Sequence, residues 1–209
     1  MARIKIKPRR RSSGDPIFVP IGRFLSRADC VKGLKVKRVL GEGTFGAVAA
    51  VCRGRKCKYV LKVQKINPPK RRSSIVLTQR PFKDEVTVSK KAGELGISPR
   101  VCDSWECDGH GYILMKRVFG KTLFDVLKNA PTLQKTQQLK ARALTKLKKA
   151  HDHGLLHRDI HSLNIMVKER TGEVMFLDWG LLPEKAYTKR EDVAMLHEAF
   201  LRPLLHGVV

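Results

Sequence analysis

Apolar positions are sparse and aperiodic over residues 1–33, which hold Pro8, Pro16, Pro20 and many charges. That stretch reads as an arm followed by a short docking segment. From Lys35 the pattern changes. KVKRVLGEG runs into a glycine loop, AVAAVC continues apolar, RGRK makes a turn and CKYVLKVQK alternates. Three short strands in succession predict an antiparallel sheet. Residues 66–81 are a loop by their proline and charge content. PFKDEVTVSKKAGELG predicts a helix ending near Gly93 or Gly96, with Pro99 beyond it. RVCDSWEC and GYILMKRV are two further strands joined by the turn DGHG.

After Val118 the period becomes helical. TLFDVLKNA predicts a short helix, and Pro131 through His153 a longer one with Leu139, Ala143, Leu147 and Ala150 along one face. LLHRDIHSLN is irregular. IMVKE and VMFLD are two short strands around the turn RTG, and REDVAMLHEAFLRPLL is a final amphipathic helix that Pro203 is placed to interrupt. No internal repeat is found. The expected fold class is α+β, divided into an arm and docking segment over 1–33, a sheet-rich part with one helix over 34–118, and a mainly helical part over 119–209.

The chain's 209 residues suffice for one medium domain or two small lobes. No stretch approaches the roughly 18 uncharged residues of a membrane span, so no membrane partner is expected. MARIKIKPRRR lacks the apolar run of a secretory signal, which predicts an intracellular protein, cytoplasmic or nuclear; a viral source is compatible with it. Charge changes the picture most: 43 Lys and Arg against 19 Asp and Glu give a net +24. Such a field attracts phosphate-rich or acidic partners. Non-specific nucleic-acid contact or nuclear targeting by the arm, which holds six basic residues in positions 1–11, competes with a plain solvated tail.

The five cysteines, Cys30, Cys52, Cys57, Cys102 and Cys107, are an odd count without a signal, which argues against a disulfide framework. The two C-x4-C spacings are just compatible with zinc, but more simply each pair flanks a hairpin.

Candidate chemistry clusters in four places. Gly41-Glu42-Gly43-Thr44-Phe45-Gly46-Ala47-Val48 carries G-x-G-x-x-G-x-V spacing between strand-like residues, where backbone N–H groups can approach phosphate oxygens. A plain strand-connecting turn explains it equally well taken alone. Lys62 lies inside the apolar strand YVLKV and needs an anionic partner; Glu85 is the best carboxylate, ahead of Asp84 and Glu94. His157-Arg158-Asp159-Ile160-His161-Ser162-Leu163-Asn164 follows the long helix, and Asp178-Trp179-Gly180 ends a later strand. Phosphoryl transfer needs such a set: one carboxylate to orient and deprotonate a hydroxyl, and a second carboxylate with an amide oxygen to hold Mg²⁺ against the phosphates.

In this order and spacing, the chain resembles the eukaryotic-type protein kinase superfamily over about residues 34–200. GEGTFGAV looks like the glycine-rich loop, YVLK like the V-A-I-K strand, HRDIHSLN like the H-R-D loop and LDWG like D-F-G. The resemblance implies a two-lobed fold with a reduced C-terminal lobe, ATP and Mg²⁺ as cofactors, and a protein substrate, most readily at Ser/Thr. It implies that Gly41, Glu42, Gly43, Gly46 and Val48 cover the nucleotide. Lys62 would hold the α/β-phosphates and pair with Glu85, Asp159 would be the base, and Asn164 and Asp178 would bind the metal. Met115 would stand behind the adenine, with backbone groups of Lys116–Val118 on its edge.

Several residues depart from the pattern. His161 stands where Ser/Thr kinases usually have Lys, Trp179 replaces Phe, and no A-P-E follows Asp178. The ending KREDVAMLHEAF is similar instead to compact RIO-like and KEOPS-type kinases, in which an aspartate of the last helix supports the catalytic loop; Asp192 fits that place. A partner that replaces missing regulatory surface is implied. H-x-D-x-H-x-x-N followed by D-W also resembles aminoglycoside and choline phosphotransferases, which act on small molecules. A pseudokinase or nucleic-acid-binding module is the non-enzymatic alternative. His151, His153, His157 and His161 form a weaker metal-hydrolase candidate. Arg10-Arg11-Ser12-Ser13 and Arg71-Arg72-Ser73-Ser74 are candidate phosphorylation sites or plain exposed loops.

Overall fold

Strand β1 (Lys35–Glu42), β2 (Gly46–Arg53), β3 (Lys56–Lys65), β4 (Val101–Cys107) and β5 (His110–Lys116) build one antiparallel sheet in the order β1-β2-β3-β5-β4. The computed structural model describes residues 29–42, 46–66, 79–182 and 187–201. The arm through residue 28, Gly43, both Arg-Arg-Ser-Ser sequences and Pro203 lie outside these residues.

Central β2 is apolar on both faces because the sheet sandwiches it, with Ala47, Ala49, Ala50, Val51 and Cys52 all buried. A side chain at Gly46 would collide with the Val63 carbonyl, so only glycine lets β2 begin this close to β3. Between β4 and β5 the register pairs Cys107 with His110, leaving a two-residue turn. Asp108 and Gly109 both take positive φ (51° and 72°), the hand that matches strand twist.

Helix α1 (Phe82–Glu94) crosses between β3 and β4 in sequence and buries Phe82 and Val86 against Ile113. A second sheet, β6 (Gly120–Thr122), β7 (Ile165–Lys168) and β8 (Val174–Phe176), is ordered β6-β7-β8. Around it stand α2 (Leu123–Lys128), α3 (Leu133–Asp152) and α4 (Lys189–Leu201). Thr122 and Thr132 accept the backbone N–H of Asp125 (3.1 Å) and Lys135 (3.2 Å), which starts α2 and α3. Leu139, Ala143, Leu147 and Ala150 of α3 join Leu196, Phe200, Phe176 and Trp179 in the larger core. The fold is therefore α+β, a sheet-rich part followed by a small helical part. Among the described residues no helix is long and apolar enough to cross a membrane.

Two sequence expectations are corrected here. Cys30 is disulfide-bonded to Cys107 and Cys52 to Cys57; Cys102 alone is free, and exposed. The odd count concealed two pairs and a remainder. Cys52 and Cys57 do flank the β2–β3 turn, but Cys102 and Cys107 share one strand, and Cys107 pairs across 77 residues instead. That bond ties the segment before β1 to the sheet, where Cys30, Val31 and Leu34 are buried and the Cys30 carbonyl accepts the Trp105 indole N–H at 2.8 Å. With four thiols consumed, no thiolate set remains for zinc. The other addition is β6, whose three residues carry too little pattern to stand out in sequence.

Candidate active site

Register carries the first functional side chain to its place. Val48 of β2 lies opposite Lys62 of β3, so the start of β2 runs beside Lys62 in the sheet. Gly41 and Glu42 close β1 opposite Val48 and Ala47. Lys62 is buried, and its Nζ donates to Glu85 Oε1 at 2.8 Å and Asp178 Oδ1 at 2.5 Å. Burial alone pushes the ammonium pKa down, but the two carboxylates outweigh it and hold the pKa above its ordinary value. Glu85 is buried on α1, whereas Asp84 and Glu94 point to solvent.

Asp178 follows β8 with φ at 58°, and Arg158 has φ at 68°. Two non-glycine residues in the left-handed region each cost about 1–3 kcal/mol and cluster at the same site, as strained functional positions do. Burial raises the Asp178 pKa, but Lys62 and the Gly180 N–H (3.0 Å) prevail and lower it. Gly180 is wedged against this group: a Cβ there would lie 2.8 Å from Asp178 Oδ1 and 3.2 Å from Glu85 Oε2. The Trp179 side chain turns inward, donating its indole N–H to Ser98 Oγ at 2.7 Å. Ser98 thus explains how a tryptophan fits where a phenylalanine was expected.

The second carboxylate sits on the loop after α3. Asn164 Nδ2 donates to the Asp159 carbonyl (3.0 Å) and to Asp159 Oδ2 (2.9 Å), and His161 Nε2 lies 3.7 Å from Asp159 Oδ1. The loop is joined to the Asp178 strand through its backbone: Leu177 N–H donates to the Asn164 carbonyl at 2.8 Å. His157 Nε2–H donates to the Leu177 carbonyl at 2.9 Å while Nδ1 accepts the Asp159 N–H at 3.3 Å. Burial drives the His157 pKa below its usual value, more than the nearby carboxylates raise it.

Asp192 of α4 is wholly buried under this loop. Its Oδ2 accepts the His157 N–H (2.9 Å) and His151 Nε2–H (3.0 Å); Oδ1 accepts the Arg158 N–H (2.8 Å) and the Tyr187 hydroxyl (2.7 Å). The Tyr187 hydroxyl pKa is raised by burial and by that carboxylate. Sequence pattern suggested Asp192 but gave no sign of Tyr187 or Arg80, and it raised His151 only as a metal candidate, not as a partner of Asp192. Arg80, just before α1, donates to the Trp179 and Leu181 carbonyls, both at 3.0 Å, and its N–H donates to the Gly180 carbonyl at 2.7 Å. The segment after Asp178 is thereby fastened to α1.

The histidines do not converge. The ring of His151 bonds Asp192, that of His157 the Leu177 carbonyl, and that of His153, the C-terminal cap of α3, the Lys149 carbonyl. No group of three His, Cys, Asp or Glu among the described residues could hold a metal ion.

Met115 is half-buried on β5 between Val60 and Val101. In the link that follows, the Lys116 and Arg117 N–H groups are taken by the Arg100 (2.9 Å) and Lys58 (3.0 Å) carbonyls. Among the described residues the Val118 N–H has no such acceptor.

The described residues thus hold a five-stranded sheet with one helix, an internal lysine bonded to that helix and to Asp178, and a second loop carboxylate, Asp159, bonded to Asn164. A family model described as "Protein kinase domain" matches residues 34–203, and the chain belongs to that family. It is 39% identical over 75 residues to sperm motility kinase 2B of Mus musculus, covering 34% of this chain and 15% of that protein. It is 26% identical over 176 residues to serine/threonine-protein kinase MST20 of Pyricularia oryzae, 82% of this chain and 18% of the other. With serine/threonine-protein kinase D of Synechocystis the identity is 25% over 154 residues, 72% of this chain and 30% of the relative. The chain thus spans less than a third of the length of these relatives.

Proposed function

We propose that this chain is an ATP-dependent, Mg²⁺-requiring protein kinase acting on Ser/Thr hydroxyls, with residues 34–118 and 119–209 as its two lobes. The observation that carries the reading is Lys62, buried and bonded to both Glu85 and Asp178 from elements distant in sequence. The acceptor class rests on the serine/threonine kinase names of two relatives.

The donor set suits Mg²⁺. Asn164 spends its Nδ2 on Asp159 and Asp178 spends Oδ1 on Lys62 and Gly180, which leaves one hard oxygen on each, Asn164 Oδ1 and Asp178 Oδ2. Mg²⁺, when bound, would neutralise phosphate charge. Lys62 would hold the α/β-phosphates with Glu85 fixing its direction. The hairpin of Gly41, Glu42, Gly43, Gly46 and Val48 would cover them, Met115 would back the adenine, and the Val118 N–H would bond its edge.

Asp159 Oδ2 is held by Asn164, so Oδ1 is the atom that would receive the proton of the attacking hydroxyl. Little covalent chemistry falls to the protein; positioning and charge neutralisation supply the acceleration. The compact form, similar to RIO-like and KEOPS-type kinases, is supported by α4 returning soon after Asp178 to seat Asp192 beneath the loop. The anchoring of residues 179–181 by Arg80 supports constitutive competence, or control by a partner rather than by a switching segment.

The test is incubation with γ-labelled ATP and Mg²⁺ and casein, histone or myelin basic protein, beside small alcohols and sugars. Label on Ser/Thr of protein is expected. Label only on small molecules would assign the phosphotransferase alternative, and none at all would assign a pseudokinase.

A further inference from the structure

Beside the Lys116–Phe119 link, whose Lys116 and Val118 also stand at the proposed adenine edge, lies a cavity of about 620 Å³. It shares no residue with the Lys62–Glu85–Asp178 group or with the Asp159 loop. Three walls enclose it: the turn before β4, the link itself, and the β7–β8 turn. Each wall contributes cations. Arg100, Lys116, Arg117, Lys168 and Arg170 line it against a single carboxylate, Glu169.

Three of the five are already engaged. Lys168 pairs with Glu173 at 2.5 Å, Lys116 lies over the Tyr59 ring and Arg117 over Phe119. Arg100 and Arg170 are exposed and pair with no carboxylate among the described residues. The floor is apolar, with Met175 buried and Phe119 54% exposed. A second cavity, about 330 Å³, adjoins at Thr171 and continues past Arg142 and Lys146. Like charges are held around a concave apolar floor at an electrostatic cost that an anionic occupant would relieve.

We propose that this groove docks an extended acidic segment of a partner protein, one that alternates oxyanions with apolar side chains. Carboxylates and phosphoserine share the chemistry that the cations read. A peptide suits the groove better than a nucleic-acid strand. The cations come from separate walls of one cavity with an apolar floor, and Arg117 lies over the exposed Phe119 ring on which a base would otherwise stack. Docking here would hold an acidic partner on the intact chain without touching the phosphate-handling residues. The inference is compatible with the kinase reading but does not need catalysis.

The test is fluorescence anisotropy of the full chain, without ATP, at roughly 0.15 M salt, where screening beyond about 8 Å suppresses mere net charge. The probes are a labelled dodecapeptide of alternating glutamate and valine, the same peptide with two glutamates replaced by phosphoserine, and a 12-nucleotide single strand. R100E/R170E should weaken peptide binding at least tenfold. R55E/K56E, the same charge change at the exposed β2–β3 turn, should weaken it less than threefold. R100Q/R170Q, a milder change, should give about three- to fivefold.

Tighter binding of the phosphoserine peptide would assign phosphate as the preferred oxyanion, and equal binding would assign carboxylate. Equal losses from both charge reversals, no peptide binding, or selective loss of the oligonucleotide would each overturn the proposal. Phosphate transfer measured in parallel stands or falls separately.

Discussion

Asp192→Asn is nearly isosteric, yet the hydrogen bonds at this position make it a severe change. The native carboxylate accepts two donors on each oxygen, and all four bonds are buried or partly so. An amide accepts on one side only. With its oxygen toward Arg158 N–H and Tyr187, the NH₂ faces His157 N–H and His151; the His151 ring can change tautomer and accept. With the amide reversed, the NH₂ faces Arg158 N–H and the Tyr187 hydroxyl, which can also accept. Either way one backbone N–H is orphaned, at about 1–3 kcal/mol, and the remaining bonds lose their charge assistance. A total near 3 kcal/mol corresponds to a fall of roughly 6–12 °C in Tm for a chain of this size.

The assay is thermal and urea unfolding of both proteins at pH 7.5, with phosphate transfer measured well below the variant's Tm. Transfer should fall about 10²-fold, since Arg158 adjoins Asp159 and a displacement of about 1 Å is worth that much. A Tm within about 2 °C of wild type would show that Asp192 does not hold the loop, and the reasoning would fail.

Other consequences can be measured separately. Gly180→Ala should push Asp178 off Lys62 and abolish the Tm increase given by ATP·Mg²⁺ while the free protein still unfolds cooperatively; an undiminished increase would contradict the packing seen there. His157 is held neutral, its folded pKa depressed, so unfolded chains take up its proton first. Its contribution to stability is complete above pH 6.5 and is lost as pH falls below that, with a slope of up to about 1.4 kcal/mol per pH unit. His157→Gln should flatten the urea-midpoint profile between pH 6.5 and 5, and an unchanged slope would count against it. Cys30→Ser/Cys107→Ser should lower stability by about 4 kcal/mol, as expected for cross-linking a loop of this length; thiol reductant should then lower the variant's Tm further only through Cys52–Cys57.

What the sequence disclosed follows from the range of each signal. The sheet was legible because β1, β2, β3, β4 and β5 alternate or run apolar, with turns marked by RGRK and DGHG. Lys62 and Glu85 were legible because a lysine among apolar neighbours demands a carboxylate and α1 supplies few. Asp159, Asn164 and Asp178 followed from spacing on loops. The disulfides were missed because cysteine count is blind to which strands become neighbours: Cys30 meets Cys107 only once the segment before β1 folds onto β4. The His151–Asp192 bond and the role of Arg80 were missed for the same reason, since each joins groups remote in sequence; Tyr187 lies only five residues from Asp192, but no pattern in the chain aims its hydroxyl at that carboxylate. The groove beside the link is likewise assembled from two turns and the link, far apart in sequence, and a net charge of +24 says nothing of where those charges gather.

The central claim is that Asp159 serves as the base in phosphoryl transfer from a nucleotide held by Lys62. Single-turnover transfer of γ-phosphate by wild type and Asp159→Asn, with ATP affinity measured on the same samples, tests it most directly. The account predicts ATP affinity within about twofold and transfer slowed by about 10²–10⁴-fold in the variant. Equal transfer rates in the two proteins would contradict it.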